Sequence, residues 1–174
     1  FSDLYPNPQW NAFFSSVNPF NGNFNNVTNS NFNIPSGGFD LNFSHSYNSL
    51  SNFLHTAVKP LGTGWNHSYN INMEVLEQII YVYWSSGSVD TYENPNLAGS
   101  STVTCQTPKG VYDILTKVSN SVYTIKTKNQ LIYRFEIPGS GEIAYLKSIT
   151  DRNNNQLLFV YDGFQRLTTV TQVN

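Results

Sequence analysis

Charged residues and cysteine are both scarce in this chain. Lysine, arginine, aspartate and glutamate make up 11% of its 174 residues, against about 25% in typical soluble domains. Nine basic and eleven acidic residues give a net charge of -2 without a basic patch, so nucleic acid is not an expected partner. The single cysteine, Cys105, excludes an internal disulfide framework and a multi-cysteine metal site. Its residue type favours a buried apolar position over an exposed thiol.

Long apolar runs and the motifs of nucleotide-dependent enzymes and hydrolases are also missing. No stretch approaches the roughly 18 to 20 apolar residues that a membrane helix needs, so we expect no membrane span. The longest apolar run, residues 79–84, has the length of a buried strand. Because there is no P-loop, dinucleotide fingerprint or G-x-S-x-G elbow, no motif in the sequence indicates a hydrolase or a nucleotide-dependent enzyme.

Histidines and carboxylates are the residues from which a metal or hydrolytic site would have to be built. The histidines are His45, His55 and His67. No H-x-H, HExxH or cysteine pair accompanies them, so hydrogen-bonded core histidines are favoured over zinc ligands. The carboxylate pairs considered are Asp40 with Glu74 and Asp90 with Glu93. Spacing alone does not bring either pair to the separation that glycoside hydrolysis requires, so we expect no catalytic residue, metal or cofactor.

Apolar and polar residues alternate along two segments, 39–47 and 65–73. The first apolar face consists of Phe39, Leu41, Phe43, His45 and Tyr47, and the second of Trp65, His67, Tyr69, Ile71 and Met73. A period of two residues is typical of half-buried β-strands, because successive side chains of an extended chain point to opposite sides. The outward faces carry mostly asparagine and serine, in a chain that contains 24 asparagines.

The last third of the chain contains an approximate repeat. Residues 129–136 resemble residues 155–162, which lie 26 positions later, and residues 146–150 resemble residues 167–171, which lie 21 positions later. Each unit is a strand, a turn and a strand, and such units bury their apolar faces only by stacking on neighbours. The pattern predicts antiparallel hairpins and an unpaired strand edge at residues 167–173.

Residues 1–35 differ in composition from the rest and are predicted to form an extended arm. They contain one charged residue, Asp3, and little helical periodicity. Their aromatic residues are Phe1, Tyr5, Trp10, Phe13, Phe14, Phe20, Phe24 and Phe32. Because a solvated linker seldom carries so many aromatic side chains, we expect the arm to lie in a groove of its own domain or of a neighbour. A β-sheet domain then covers residues 36–174, with the repeat at about 129–174.

Several features are typical of secreted or cell-surface proteins. Charge is low, and N-x-S/T sequons occur at Asn26, Asn42 and Asn66. Asn42 and Asn66 lie on predicted outward faces, where a glycan can be accommodated. A chain rich in asparagine and serine also produces sequons by chance. The sequence therefore allows both glycosylated sites and chance occurrences of the motif.

Three tryptophans are candidates for stacking against a sugar ring, namely Trp10, Trp65 and Trp84. Trp65 and Trp84 lie in predicted strands with apolar neighbours, which favours core positions for both. Trp10 lies in the predicted arm and remains a candidate for stacking on sugar. Carbohydrate binding is therefore an alternative function.

Motifs of one known family occur along most of the chain. Residues 17–23, VNPFNGN, are similar to an opening V-N-P-x-T-G-N, and residues 43–49, FSHSYNS, to a strand ending in R-x-Y-N-S. Residues 61–69, LGTGWNHSY, are close to L-G-x-G-W-x-H-x-Y, and residues 146–171 are similar to one YD unit. On these motifs the chain resembles the RHS/YD-repeat family of large extracellular or secreted bacterial proteins.

The resemblance implies repeats that wind into a β-sheet shell, which encloses a toxin or forms a surface-exposed structure. Asn154 and Gln165 stand where the YD unit usually has glycine. Asparagine enters the left-handed backbone region more readily than other non-glycine residues. Only about one clear unit is present in this chain.

These features together predict an all-β fold of antiparallel hairpins, which form an open, curved or stacked RHS-like sheet with an extended N-terminal arm. The expected function is that of a secreted, non-enzymatic structural protein that joins copies of itself head-to-tail, into a filament or surface assembly, by β-augmentation. The expected contact residues are Trp10, Phe13, Phe14, Phe20, Phe24 and Phe32 in the arm and Leu167, Thr169 and Val173 at the open edge. The alternative is a carbohydrate-binding adhesin or a capping module of a larger RHS-type protein.

Overall fold

The computed structural model describes residues 17, 23–27, 32–49, 60–99 and 102–173. Within these ranges the fold is all-β, with antiparallel strands and no helix, as the alternating pattern predicts. The strands are β1 (Asn25–Val27), β2 (Phe32–Ile34), β3 (Leu41–Phe43), β4 (His45–Asn48), β5 (Trp65–His67), β6 (Asn72–Val75), β7 (Ile79–Tyr83), β8 (Val89–Glu93), β9 (Val103–Thr104), β10 (Ile114–Lys117), β11 (Val122–Lys126), β12 (Ile132–Glu136), β13 (Ile143–Thr150), β14 (Gln156–Tyr161) and β15 (Leu167–Val173). The described part of the chain contains no helix that is long and apolar enough to cross a membrane.

The largest sheet is curled into an open half-barrel. Eight of its strands follow one another in the order β8-β7-β6-β13-β12-β11-β10-β9, and β14 and β15 branch from β13. The ends of this row meet at one antiparallel bridge, where the N–H of Gln106 donates to the carbonyl of Glu93 at 2.8 Å. Beside it, the side chain of Asn94 donates to the carbonyl of Thr104 at 2.8 Å. The right-handed twist of the strands therefore brings the two edges of the row together without closing a full barrel.

The sheet forks at β13, an eight-residue strand. One edge of β13 pairs with β12. The other edge is shared, because residues 143–145 pair with β6 and residues 148–150 pair with β14. Opposite β12 the register shifts between Arg134 and Phe135, which leaves Lys147 as an extra residue in β13. Such a bulge bends the strand and increases its twist, and it lies where the β6–β8 branch and the β14–β15 branch separate.

One hydrophobic core is formed mainly by alternate residues of the largest sheet. Its buried members are Tyr69, Ile71, Met73, Ile80, Val82, Tyr92, Leu97, Cys105, Leu115, Tyr123, Ile125, Phe135, Ala144, Leu146, Ile149, Leu157 and Phe159. Leu97 enters this core from a loop, and the thiol of Cys105 is buried, as expected for its residue type. Lys117 is buried as well, and its Nζ donates to the carbonyl of Leu97 at 2.8 Å. This bond fastens the loop that follows β8 across the core.

Two small sheets, β1-β4-β5 and β2-β3, are formed by the N-terminal part of the described chain. The alternating segment 39–47, predicted as one strand, is divided at Ser44, so β3 and β4 belong to different sheets. The N–H of Ser44 donates to Oγ of Ser68 at 3.3 Å, and its carbonyl accepts the N–H of Ser68 at 2.9 Å. The prediction of one continuous strand was wrong, because a period of two does not tell which neighbour each half of the segment takes.

A turn divides segment 65–73 in a similar way. The N–H of Asn70 donates to the carbonyl of His67 at 2.9 Å within that turn. The buried residues are His67, Tyr69, Ile71 and Met73, as the alternation predicts. Trp65, predicted to lie inward, is 41% exposed, whereas Asn72, predicted to lie outward, is 1% exposed. Both predictions were wrong, because the turn separates the two ends of the segment and gives each of them a different environment.

Candidate functional site

Three hairpin turns of the C-terminal half, at residues 127–131, 151–155 and 162–166, share one geometry. The N–H of the first residue donates to the carbonyl of the fifth at 2.9, 3.0 and 3.0 Å, respectively. The N–H of the fourth residue donates to the carbonyl of the first at 2.9, 3.2 and 3.0 Å, respectively. A three-residue loop of this kind places its last residue in the left-handed region.

The fourth residue of each turn has that left-handed backbone. The angle φ is 64° at Gln130, 67° at Asn154 and 61° at Gln165. In turn 84–88 the same two backbone bonds are present, and Gly87 takes the fourth place with a φ of 86°. Glycine enters this region without strain, whereas an L-residue is strained there. Three of these four turns therefore contain a residue that is not the best suited to its backbone conformation.

Aspartates close two of these turns through their carboxylates. Oδ1 of Asp151 accepts the N–H of Asn153 at 2.7 Å and that of Asn155 at 3.0 Å. Oδ1 of Asp162 accepts the corresponding two N–H groups of turn 162–166, both at 2.9 Å. The side chain of Asn155 is the largest cause that lowers the pKa of Asp151, and the backbone N–H of Arg166 has that role for Asp162. Both carboxylates therefore stay ionised to more acidic pH than usual.

Strand β15 is the edge of the β14–β15 branch. It pairs with β14 at six of its seven residues, because the register shifts at Thr168, and it pairs with no other strand of the described chain. Leu167 is half-buried and packs against the core, whereas Thr169 and Val173 are exposed. The side chain of Gln172 donates to the hydroxyl of Ser36. The edge predicted at residues 167–173 is therefore a strand with one strand neighbour in the described part of the chain.

Of the predicted arm contacts, Phe24 and Phe32 lie in the described residues. The ring of Phe24 lies 6.0 Å from that of Tyr47, and Phe32 stacks on Phe43 with 5.6 Å between ring centroids. Strand β1 pairs with β4, and β2 pairs with β3, so these parts of residues 1–35 pair within their own chain. The arm contacts that lie outside the described residues are Trp10, Phe13, Phe14 and Phe20.

The three sequon asparagines differ in how accessible their side chains are. Asn26 and Asn42 are exposed, as a glycan acceptor requires. The Nδ2 atom of Asn66 donates to the carbonyl of Ser85 at 3.0 Å, and its Oδ1 accepts from Nδ2 of Asn70 at 2.8 Å. Nδ2 of Asn72 donates in turn to Oδ1 of Asn70 at 3.3 Å. The sequon at Asn66 therefore belongs to a chain of amide hydrogen bonds, and a glycan on it would displace the bond to Ser85.

Several of the histidine and carboxylate side chains considered for chemistry make structural contacts. His67 is buried, its Nδ1 accepts the N–H of Tyr69 at 3.2 Å, and burial lowers its pKa. His45 lies 5.3 Å from the ring of Trp65, and His55 lies outside the described residues. Asp40 accepts the N–H of Ser36 at 3.0 Å. Among the residues that the structure describes, no three His, Cys, Asp or Glu side chains form a group that could hold a metal ion.

A groove of about 540 Å³ lies at the end of the half-barrel where several turns meet. It is bounded by the β5–β6 turn, the β7–β8 turn, the residue before β10 and the β11–β12 turn, and it is lined by Ser68, Tyr69, Ile71, Trp84, Ser85, Ser86, Ser88, Asp90, Asp113, Thr127, Lys128, Asn129, Leu131, Tyr133 and Ile149. The indole N–H of Trp84 donates to Oδ2 of Asp90 at 2.6 Å. The Trp84 ring meets Tyr133 edge-on, with centroids 5.6 Å apart and planes at 87°. The groove therefore contains an aromatic ring whose orientation is fixed from two sides.

The sequence-based candidates for stacking on sugar are placed differently from one another. Trp84 lines the groove and is half-buried, whereas Trp65 is exposed outside it, beside Tyr47 at 5.2 Å. Trp10 lies outside the described residues. Sequence reasoning did not select Asp113, which precedes β10 and becomes part of the groove only because the sheet curls. Sequence reasoning also missed Gln130. This residue is the fourth of turn 127–131, as Asn154 is the fourth of turn 151–155, and that correspondence was a usable signal.

A comparison with protein families matches residues 14–92 to a domain of unknown function, DUF6531. The match includes strands β1 to β7 and most of β8, and it stops before the C-terminal repeat. No curated protein matches the chain. The chain is therefore similar to an uncharacterised domain over its N-terminal half.

Proposed function

We propose that this chain is a secreted, non-enzymatic structural protein of the RHS/YD-repeat type, whose sheet is extended by strand addition at the outer edge of β15. The observation that carries the proposal is β15, which pairs on one side with β14 and with no other described strand. A seven-residue edge offers backbone N–H and C=O groups to an incoming strand. Added strands of this kind derive their affinity from main-chain hydrogen bonds and their specificity from the side chains that face the sheet.

Support for the repeat type comes from the turns. Asn154 and Gln165 stand where a YD unit usually has glycine, and both have left-handed backbones. Strand β14 follows β13, and β15 follows β14, through turns with the same backbone hydrogen bonds. A further strand on β15 would continue the pattern by which these strands are already joined. The secreted location rests on the low charge and on the exposed sequons at Asn26 and Asn42.

In isolated protein, the strand that adds to β15 is expected to come from a second copy. A contact between the edge of one subunit and a different segment of the next is heterologous, and it produces filaments unless it closes into a ring. Strands β1 and β2 pair with β4 and β3 of their own chain. The segment that a second copy donates is therefore expected to lie outside these two strands.

The test compares the mass of the purified chain with that of an edge variant by light scattering over a range of protein concentrations. Thr169→Lys combined with Val173→Lys places two charges on exposed positions of β15, and lysine on an edge strand opposes pairing. Val160→Lys is the matched control, because Val160 is 52% exposed but lies on β14. We expect wild type and control to associate and the edge variant to stay monomeric. A monomeric wild type, or association that survives both β15 charges, would refute the proposal.

The role of the N-terminal arm has its own test. Deleting residues 1–16 removes Trp10, Phe13 and Phe14 and leaves β1 and Phe24 in place. We expect this deletion to abolish association if the arm is the donated segment. Unchanged association would remove residues 1–16 from the proposal and leave the role of β15 intact, so the two parts are tested separately.

A further inference from the structure

The groove at the turn end of the half-barrel combines an apolar floor with a polar rim. Ile71 and Ile149 are buried beneath it, and Trp84 and Tyr133 are half-buried in its lining. Its neutral polar residues are Ser68, Ser85, Ser86, Ser88, Thr127 and Asn129. A volume of about 540 Å³ lies within the range of small-molecule sites. The groove therefore suits a compact ligand that is apolar on one face and rich in hydrogen-bonding groups around its edge.

The position of Trp84 determines which part of a ligand it can contact. Its indole N–H is used by Asp90, at 2.6 Å, and the edge contact with Tyr133 fixes the plane of the ring. A ring that is held in this way cannot turn its N–H towards a ligand. It offers aromatic surface instead, and aromatic surface packs against the C–H groups of a flat or chair-shaped molecule. Because the orientation exists before binding, little ordering entropy is lost when a ligand arrives.

The two carboxylates of the groove each keep an oxygen for a ligand. Asp90 uses Oδ2 for the indole of Trp84, and Asp113 uses Oδ1 for the N–H of Lys128 at 3.1 Å. Among the described residues, no hydrogen bond is made by the other oxygen of either carboxylate, and neither carboxylate forms an ion pair. The Nζ atom of Lys128 lies over the ring of Tyr112, 5.5 Å from its centroid. Ionised carboxylate oxygens make stronger hydrogen bonds to hydroxyl groups than neutral acceptors do.

We propose that this groove binds one hexose or N-acetylhexosamine ring, with a C–H face of the sugar on Trp84 and hydroxyl groups on Asp90 and Asp113. Six neutral hydroxyl or amide residues surround three ionic ones in the lining, which matches a neutral polyhydroxyl ligand better than an organic cation. The site is independent of the β15 edge. A failure of the saccharide site therefore leaves the strand-addition proposal standing, and the reverse also holds.

The test is a titration with methyl β-glucoside, methyl β-galactoside and methyl β-N-acetylglucosaminide at millimolar concentrations, followed by the NMR signals of the three indole N–H groups. The signal of Trp84 is assigned by its loss in Trp84→Phe. We expect at least one glycoside to shift this signal in a saturable manner while those of Trp10 and Trp65 stay in place. No shift with any of the three glycosides would overturn the proposal, and so would a shift confined to Trp10 or Trp65. A shift caused by tetramethylammonium with the glycosides silent would also overturn it, because the groove would then be a cation site.

Two variants extend the titration. Asp90→Asn with Asp113→Asn keeps the shape of both side chains and removes the charge, and we expect roughly tenfold weaker glycoside binding. Asn129→Ala alters an exposed groove residue in the turn, so it keeps the test valid if the double variant does not fold, and we expect a smaller loss. Trp65→Ala is the control outside the groove, with unchanged affinity expected. Affinity that is unaltered in both groove variants, or that falls with Trp65→Ala, would contradict the assignment.

Discussion

Replacing the left-handed glutamines of two hairpin turns by glycine is expected to stabilise the protein. Gln130 and Gln165 have φ angles of 64° and 61°, and neither side chain makes a hydrogen bond within the described residues. An L-residue in this region costs about 1–2 kcal/mol, whereas glycine costs about 0.5–1 kcal/mol through the freedom it adds to the unfolded chain. The difference is a gain of roughly 0.5–1 kcal/mol for Gln130→Gly and for Gln165→Gly.

The same reasoning ranks the other turns. Asn154→Gly is expected to change stability by less than about 0.5 kcal/mol, because asparagine tolerates the left-handed region better than glutamine. Gly87→Ala is expected to cost roughly 0.5–1 kcal/mol, which is the same difference with its sign reversed. The strain is conformational there, since a Cβ on Gly87 would meet only Nδ2 of Asn48, at 3.8 Å. Turns 127–131 and 162–166 lie on different hairpins, so the two glutamine effects should add.

Urea unfolding monitored by circular dichroism measures these changes, provided that the slope with denaturant stays constant. In thermal unfolding, each kcal/mol corresponds to about 2–4 °C for a chain of this size. Gly163→Ala is the control within turn 162–166, because Gly163 has no left-handed φ and a Cβ there would meet nothing within 4 Å. It should not lower stability. The reasoning is refuted if both glutamine-to-glycine changes lower stability, or if Gly87→Ala is neutral.

Three further predictions follow from burial and from the aspartate turns. The pKa values of Asp151 and Asp162 are lowered in the folded state, so their contribution to stability is complete above the unfolded pKa of about 4 and is lost as pH falls through the folded values. Asp151→Asn with Asp162→Asn should therefore flatten the acid limb of the urea midpoint against pH, and an unchanged limb would contradict this. Leu97→Ala should cost about 2–5 kcal/mol in urea unfolding although Leu97 lies in a loop, because its side chain is 2% exposed. The control is Leu61→Ala, at a loop leucine that is 47% exposed, and it should change stability by less than about 0.5 kcal/mol. Equal costs for the two variants would be inconsistent with the packing. The thiol of Cys105 is buried and burial raises its pKa, so Ellman's reagent should label it at the rate of unfolding, and rapid labelling of native protein would show that it is accessible.

The sequence predicts the strands of the C-terminal half well. Tyr123 and Ile125 in β11 and Phe135 in β12 are buried at alternate positions, which is the period-two pattern of a half-buried strand. The run at residues 79–84 supplies strand β7, and residues 85–88 make the turn into β8. These hairpins join neighbouring strands through short turns, so the local pattern contains most of the information that determines them.

The N-terminal alternating segments were predicted less accurately. Phe39 to Tyr47 has a regular period, yet the chain changes sheets at Ser44 because Ser68, 24 residues away, binds its backbone. The exposed Trp65 and the buried Asn72 arise from long-range packing in the same way. A local pattern contains no information about such partners.

The groove could be predicted only in part. Trp84 was a candidate from its residue type. Asp113 lies 29 positions later in the sequence, and it lines the same groove only because the sheet curls. That curl depends on the bridge between Glu93 and Gln106 and on the bulge at Lys147, neither of which has a clear sequence signal. The fork at β13 was not foreseen for the same reason.

Because β13 shares its second edge between two branches, neither branch can detach without exposing the backbone amides of that strand. The amide protons in the middle of β13 should therefore exchange with solvent only when the whole domain opens, whereas those of β15 can exchange through fraying of one hairpin. One strand thus serves as the common anchor of two arrays, and the array that begins with β14 can lengthen without any change in the strands that surround the groove.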